Sequence, residues 1–463
     1  MGDRVDLASR EMRAGQRFCL VSAKSTQISG LRCVISGIAV TLALFSAVQE
    51  TRAESLPDWL TQSTMTGDWG GARTALKDAG ITVRAFYWDE FAANLSGGKG
   101  PGQSNAQQFG LLIDSDMGKL AGIDGGILHF GLSNRWGASD SAYIGNTLLV
   151  QSDWGAGQNF RLAQFSYEQF LAGGRVDTQF GFMADYGYSF GFTPLLCDFQ
   201  NVGFCAHPFV LYKNSGATAY PTGQWGASVK LLPSSAFYAE TGIFEVNPSR
   251  LLSSNGFNLG WGGTTGALVP VEFGWTAALG PDKLPGHYKI GGYYDTSSVR
   301  DVASPNIRDS GRYGAYVLVD QMLFRFESGH DRGLIAFAQG TVSDSGTSLM
   351  PYSVNAGIIL QGPFAGRPAD YLALGAVYEP VNDRMLQAQR TKLLQLGDIS
   401  DLLLQQDVAL QQGEAAIELG YGFAAAPWFM INPNIQYIIN PGAFTYTHLK
   451  DAWVFGVQTK ITF

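Results

Sequence analysis

The feature that most restricts this chain is an alternation of apolar and polar residues with a period of two, repeated in short segments from about residue 81 to the last residue. A period of two sends successive side chains to opposite faces of a strand. In 429–440, Phe429, Ile431, Ile435, Tyr437 and Ile439 share one face, while Asn432, Asn434, Gln436 and Asn440 share the other. In 414–423, Ala415, Ile417, Leu419, Tyr421 and Phe423 oppose Glu414, Glu418 and two glycines. At the end, Trp453, Phe455, Val457, Ile461 and Phe463 oppose Gln458, Lys460 and Thr462. One face wants an apolar medium and the other wants water.

Similar segments occupy 81–90, 108–116, 126–135, 160–168, 176–184, 224–232, 237–245, 271–279, 287–296, 313–325, 333–341, 353–361 and 371–378. With the three above they make 16 candidate strands, an even number, as a single-chain bacterial outer-membrane barrel requires. The connections alternate in length as such a barrel's short turns and longer loops do. The short ones are 117–125, 169–175, 233–236, 280–286, 326–332, 362–370 and 423–427, and the long ones are 91–107, 136–159, 185–223, 246–270, 297–312, 342–352, 379–413 and 440–451. The expected fold is all-β, a transmembrane antiparallel barrel over 81–463 with both termini in the periplasm. Two stretches read as helical. Trp69 to Ala79 places Ala72, Ala75, Leu76 and Ala79 at helical spacing ahead of Gly80, a short helix within a periplasmic or lumen-capping segment, 54–80. Residues 384–411 are rich in leucine and glutamine within a long external loop.

Composition agrees with two solvents: 58 glycines, 29 phenylalanines, 19 tyrosines and 10 tryptophans, but only 15% charged residues. The apolar run Val34 to Val48 follows Arg32 in the layout of a secretory signal, with cleavage after Ala53; it is short for a membrane anchor, the alternative reading. Losing 1–53 would remove 7 of 31 basic and 4 of 39 acidic residues, leaving 24 against 35 and a net charge of −11. That balance argues against nucleic acid as a partner. Cys197 and Cys205 would then be the remaining cysteines, and an oxidising compartment favours a disulfide between them over two separate thiols. His207 beside them cannot complete a four-ligand metal site, so neither metal nor cofactor is expected.

A channel's selectivity lies in its inward-facing residues. The polar parity gives Arg84, Trp88 and Glu90, Asp114 and Asp116, His129, Glu168, Lys230, Glu240, Glu272, Glu414 and Glu418. Ion channels carry rings of one sign, whereas mixed Arg, Lys and carboxylates form a lining dense in donors and acceptors that suits neutral polyols. Phe86 and Trp88 share the lumen parity, either as a platform for a sugar ring or packed beneath the N-terminal helix. The loop 185–223, with Phe190, Phe192, Phe199, Phe204 and Phe209, could fold inward to narrow the pore or serve as a lid or subunit contact.

Gly67, Asp68, Trp69, Gly70, Gly71, then Arg73, Leu76 and Gly80-Ile81, resemble the N-terminal signature of OprB-type carbohydrate-selective porins. Ile417 to Tyr421, Trp428, Pro433, Gln436-Tyr437, Asn440-Pro441-Gly442 and Phe463 are similar to that family's C-terminal stretch, and Glu168-Gln169, the cysteine pair and Trp225-Gly226-Ala227 to its middle. The resemblance implies a sixteen-stranded barrel and facilitated diffusion of monosaccharides or related polyols across the outer membrane. It also implies a pore constricted by basic and acidic side chains, for which Arg84 and Glu418 lie in matching regions.

The expected function is therefore a passive outer-membrane channel for small sugars, with a general diffusion porin and a soluble secreted glycan-binding protein as the alternatives. Membrane lipid is the expected surround, and monomer and homotrimer both stay open. No P-loop, HExxH, CxxC or Rossmann glycine pattern occurs, which argues against an enzyme.

Overall fold

Alternation along each segment leaves one edge of every strand needing a partner, and with no water in a bilayer core the only complete solution is a sheet closed on itself. The computed structural model describes residues 58–155, 157–184, 190–204, 207–327, 331–395, 410–443 and 448–463. The sixteen strands found there are β1 (Ile81–Gly98), β2 (Gly102–Asp116), β3 (Gly126–Gly137), β4 (Phe160–Leu171), β5 (Val176–Met183), β6 (Gln224–Leu231), β7 (Phe237–Val246) and β8 (Gly266–Leu279), then β9 (Leu284–Arg300), β10 (Arg308–Arg325), β11 (Gly333–Ser343), β12 (Tyr352–Gln361), β13 (Tyr371–Pro380), β14 (Gly413–Ala426), β15 (Phe429–Ile439) and β16 (Lys450–Thr462). They form one closed antiparallel barrel in which each strand pairs with its neighbours in sequence, and β1 closes on β16 with Phe86 opposite Thr462 and Glu90 opposite Gln458.

Every expected strand is present, but two loops expected to be long are not. β1 and β2 run on past the predicted ends to a tight connection at 99–101, and β9 and β10 extend until only 301–307 separates them. Beyond the apolar belt a strand no longer needs alternation to stay paired, so periodicity underestimates its length. The external helix is Asp383–Gln395; the rest of the leucine-rich stretch, 396–409, lies outside the described residues, as does the candidate signal segment.

Outward positions hold exposed apolar and aromatic side chains such as Phe180, Ile243, Phe273, Ile290, Val342, Leu419 and Phe455. Aromatic pairs gather near strand ends: Phe237 with Trp275 and Trp275 with Tyr288 toward one end, Tyr437 with Trp453 and Tyr352 with Tyr378 toward the other. Such rims match the interfacial girdles of a membrane barrel.

At the end carrying both termini, the N-terminal segment docks on the seam. Residues Asp58–Thr61 and Ala72–Asp78 are short helices, and the latter follows a 3-10 turn at Trp69–Gly71. Gly70 and Gly71 sit at φ 67° and 98°, where a side chain is disfavoured. Asp68 accepts hydrogen bonds from the backbone N–H and hydroxyl of Thr74, at 2.9 and 2.8 Å. Arg73 stacks its guanidinium 4.3 Å from the Trp69 ring centre and donates to the Phe463 carbonyl at 2.8 Å. Trp428 donates its ring N–H to the Trp59 carbonyl at 3.0 Å. The glycine-rich motif is thus a turn that ties the segment ahead of β1 to Phe463, just past the end of β16.

Candidate functional site

The barrel's inner face is not uniformly open. The described parts of two connections at the end away from the termini, 138–155 with 157–159 and 190–204 with 207–223, fold back into the lumen; they pack one apolar core against β1 and β11–β16 and a second, through Phe190 and Leu211, against β7–β10. Ile144, Leu148, Val150, Leu196, Phe199 and Phe204 from the loops meet Phe337, Ile359, Ala373, Val377 and Ala416 from the wall. Phe199 and Phe204 stack at 4.5 Å, and Phe199 meets Phe337 at 5.6 Å. The second loop is the one the sequence offered as folding inward, with a lid or subunit contact as the alternative; the first carries no signal that distinguishes an inward loop from an exposed one.

Carboxylates on the wall hold these loops by their backbone. Glu418 accepts the N–H groups of Gln200 and Asn201, both at 2.8 Å. Glu414 accepts Thr147 and Leu148 at 2.9 and 2.7 Å. Glu90 accepts the Asp153 N–H and the Ser152 hydroxyl, both at 2.8 Å, and the Gln458 amide at 2.9 Å. Glu272 accepts the Gly191 N–H at 2.6 Å and the hydroxyls of Tyr238 and Tyr316 at 2.5 and 2.8 Å. All four are fully buried. A pore-lining position was expected for Glu90, Glu272 and Glu418; instead each is covered by the loop it anchors, because a buried N–H without an acceptor costs more than an exposed one. Cationic side chains complete the clasp: Lys289 donates to the Phe192 carbonyl at 2.8 Å and Lys460 to that of Cys197. Cys205, the expected disulfide partner of Cys197, lies outside the described residues.

The open lumen wall is the other part of the barrel, from β1 to β10, in its half nearer the termini. Here the remaining sequence candidates fall into one belt. Arg84 pairs with Asp114, Asp114 meets His129 at 2.8 Å, and His129 meets Glu168 at 3.3 Å. Asp177 stands opposite Lys230 in register, and Lys230 lies 3.3 Å from Glu240. The belt continues through Lys289 to His287 and Asp320, which are 2.8 Å apart. Lys289, His287 and Asp320 are absent from the sequence inventory because β9 and β10 alternate poorly around them. Asp116, an inventory member, instead caps the turn helix Met117–Ala121 by accepting the Lys119 N–H.

The aromatic candidates divide. Phe86 is buried against Tyr220 of the inward loop, with ring centres 6.2 Å apart, so it packs beneath that loop and not beneath the N-terminal helix. Trp88 is partly exposed, 5.4 Å from Phe86, with the Lys460 ammonium 5.1 Å from its ring centre. Trp69 is exposed at the rim and does not reach the lumen wall candidates.

The arrangement has donors and acceptors in alternation and no row of one sign, so it can bind and release hydroxyl groups but is not organised for covalent chemistry. Among the described residues no group of three or more His, Cys, Asp or Glu side chains is placed to hold a metal ion.

A family model described as "Carbohydrate-selective porin, OprB family" matches residues 101–463. The chain is 33% identical over 419 residues to Porin B of Pseudomonas aeruginosa, a match covering 86% of this chain and 91% of that protein. The high-pH structure of Pseudomonas putida OprB superposes with a TM-score of 0.80 at 32% identity, covering 87% of this chain and 99% of that one. The low-pH structure of the same protein gives a TM-score of 0.56 at 25% identity, over 87% and 99%.

Proposed function

Since the chain belongs to the carbohydrate-selective OprB porin family, we propose that its sugar path runs along the charged belt on β1–β10, narrowed from the opposite side by the two inward loops. The protein is a bacterial outer-membrane channel for carbohydrates and not an enzyme. The observation that carries the path is the division of the lumen: loops cover the wall from β11 to β16 and the part of β7–β10 away from the termini, while Arg84, Asp114, His129, Glu168 and Lys230 stay partly exposed. Arg84 and Lys230 act as donors and Asp114 and Glu168 as acceptors toward successive hydroxyls of a monosaccharide or small polyol, while Glu240, expected to line the pore, is buried and holds the Lys230 ammonium from behind. Trp88 supplies a ring face for the C–H side of the sugar.

Glu90, Glu272 and Glu418 act one step back, by fixing the loops that set the bore. A disulfide between Cys197 and Cys205 would stiffen the longer loop further. The outward aromatic rims contact outer-membrane lipid. Closure within one chain makes each pore self-sufficient, in a monomer as in a homotrimer.

Conductance of single refolded channels in a planar bilayer, with glucose and a size-matched neutral non-sugar titrated in turn, tests this. Saturable block by glucose alone is expected; equal effects of the two solutes would overturn the saccharide path.

A further inference from the structure

One stretch of the belt is built differently from the rest. Across four successive strands the side chains read Arg84, Asp114, His129, Glu168, each touching the next. His129 is held at both ring nitrogens, Nδ1 at 2.8 Å from an Asp114 oxygen and Nε2 at 3.3 Å from a Glu168 oxygen. Neutral imidazole has one N–H and one lone pair, and an ionised carboxylate only accepts, so both contacts are hydrogen bonds only when His129 carries two protons and a positive charge. The row is then positive, negative, positive, negative, and sums to zero. With a neutral group at 129 it would carry one net negative charge.

The side chains are between 16 and 27% exposed, so their charges reach the water of the lumen. The flanking inward groups Ser166 and Gln179 are neutral, and the next charges, Asp177 and Lys230, stand opposite one another in register. Asp116, two positions along β2, is taken up in capping the helix at Met117–Ala121, and among the described residues no cation stands beside His129 to replace its charge. Rings of one sign make pores ion-selective.

We propose that His129 is a specificity-determining residue of the pore: by balancing Asp114 and Glu168 it lets this wall offer donors and acceptors to sugar hydroxyls without concentrating cations. This rests on the saccharide-channel reading above. The imidazole suits the position because its two nitrogens point in opposite directions and bridge carboxylates on the strands either side of β3.

The test is the reversal potential of the channel in a KCl gradient at neutral pH, with glucose block measured on the same channels. His129→Gln should raise the potassium-to-chloride permeability ratio about tenfold, since one unit charge through water at roughly 6 Å favours the cation about threefold and disfavours the anion by the same factor. Glu168→Gln alone should lower the ratio, and the double variant His129→Gln/Glu168→Gln should return it to the wild-type value. Glucose block should persist in His129→Gln and weaken in the two variants that lack Glu168, which is an acceptor of the sugar path. Unchanged ratios in both single variants, or no restoration in the double variant, would overturn the proposal while leaving the sugar path standing. A wild-type channel without glucose block would overturn the sugar path instead, and the permeability ratios would still decide the charge role of His129. Persistence of the folded form in unboiled SDS confirms that each variant measured is a barrel.

Discussion

Asp140 begins the first inward loop, where its residue is wholly buried and its backbone N–H donates to the Gln151 side chain at 2.7 Å. Burial pushes its carboxyl up to about 7 from the ordinary 3.8, opposed by the nearby Asn94 N–H. An acid whose folded value lies above its unfolded one binds more protons when folded, so stability falls as pH rises between the two values. The penalty is absent below about 4, grows through the window up to about 7, and is complete above it. Asp140→Asn removes that ionisation. Its unfolding midpoint in detergent should stay near the wild-type value at pH 4 and exceed it at pH 8, by more than about 1 kcal/mol given that each pKa step is worth about 1.4 kcal/mol. Equal midpoints at pH 8 would contradict the assignment. Nothing in the sequence marks this aspartate, since its burial comes from a loop folded into a lumen. Arg84, Asp114 and Glu168 were legible because strand parity alone points them inward.

The strands were legible for the same reason that a barrel is stable: two solvents impose a period of two on every membrane-crossing segment. Their extensions past the membrane, at Phe91–Gly98 and Gly102–Gln107, were not, because there both faces meet water or loops and no alternation is required. The inward loops were half legible. The phenylalanines of the longer loop signal burial, but the acceptors that receive it, Glu418 and Glu272, are indistinguishable by sequence from carboxylates facing open water. Their difference can be measured. Glu418→Ala leaves the Gln200 and Asn201 N–H groups without their acceptor, at a cost of about 1–3 kcal/mol for each buried group. Those two amides should exchange hydrogen faster by an order of magnitude or more, with single-channel conductance rising and glucose discrimination weakening as the loop loosens. Unaltered exchange at Gln200 and Asn201 would show that the loop is held by its apolar core alone.

At the scale of the whole molecule, a closed sheet has no edge from which to unravel, and the seam where the first strand meets the last is the one pairing that no hairpin connection joins. Here that seam is braced from outside the sheet. The Met65 N–H donates to Thr462 at 2.8 Å, the Phe463 N–H to Ala85 at 2.9 Å, and Arg73 to the Phe463 carbonyl. Trp59 packs on Trp428 at 4.5 Å, joining the N-terminal segment to the turn before β15. The geometry of closure explains why motifs on either side of the barrel's sequence are legible together: they meet in space. The same geometry predicts an asymmetric outcome for Arg73→Ala. The lost bond is charge-assisted but partly exposed, so the expected loss is about 1 kcal/mol, a small fraction of a barrel's stability. Because the brace docks on strands that must already be paired, that loss should appear mainly as faster unfolding, several-fold in rate at a fixed temperature in SDS, while refolding and glucose block stay close to wild type. Slowed refolding with an unchanged unfolding rate would mean that the brace forms before the barrel closes, and that the N-terminal segment guides closure instead of locking it.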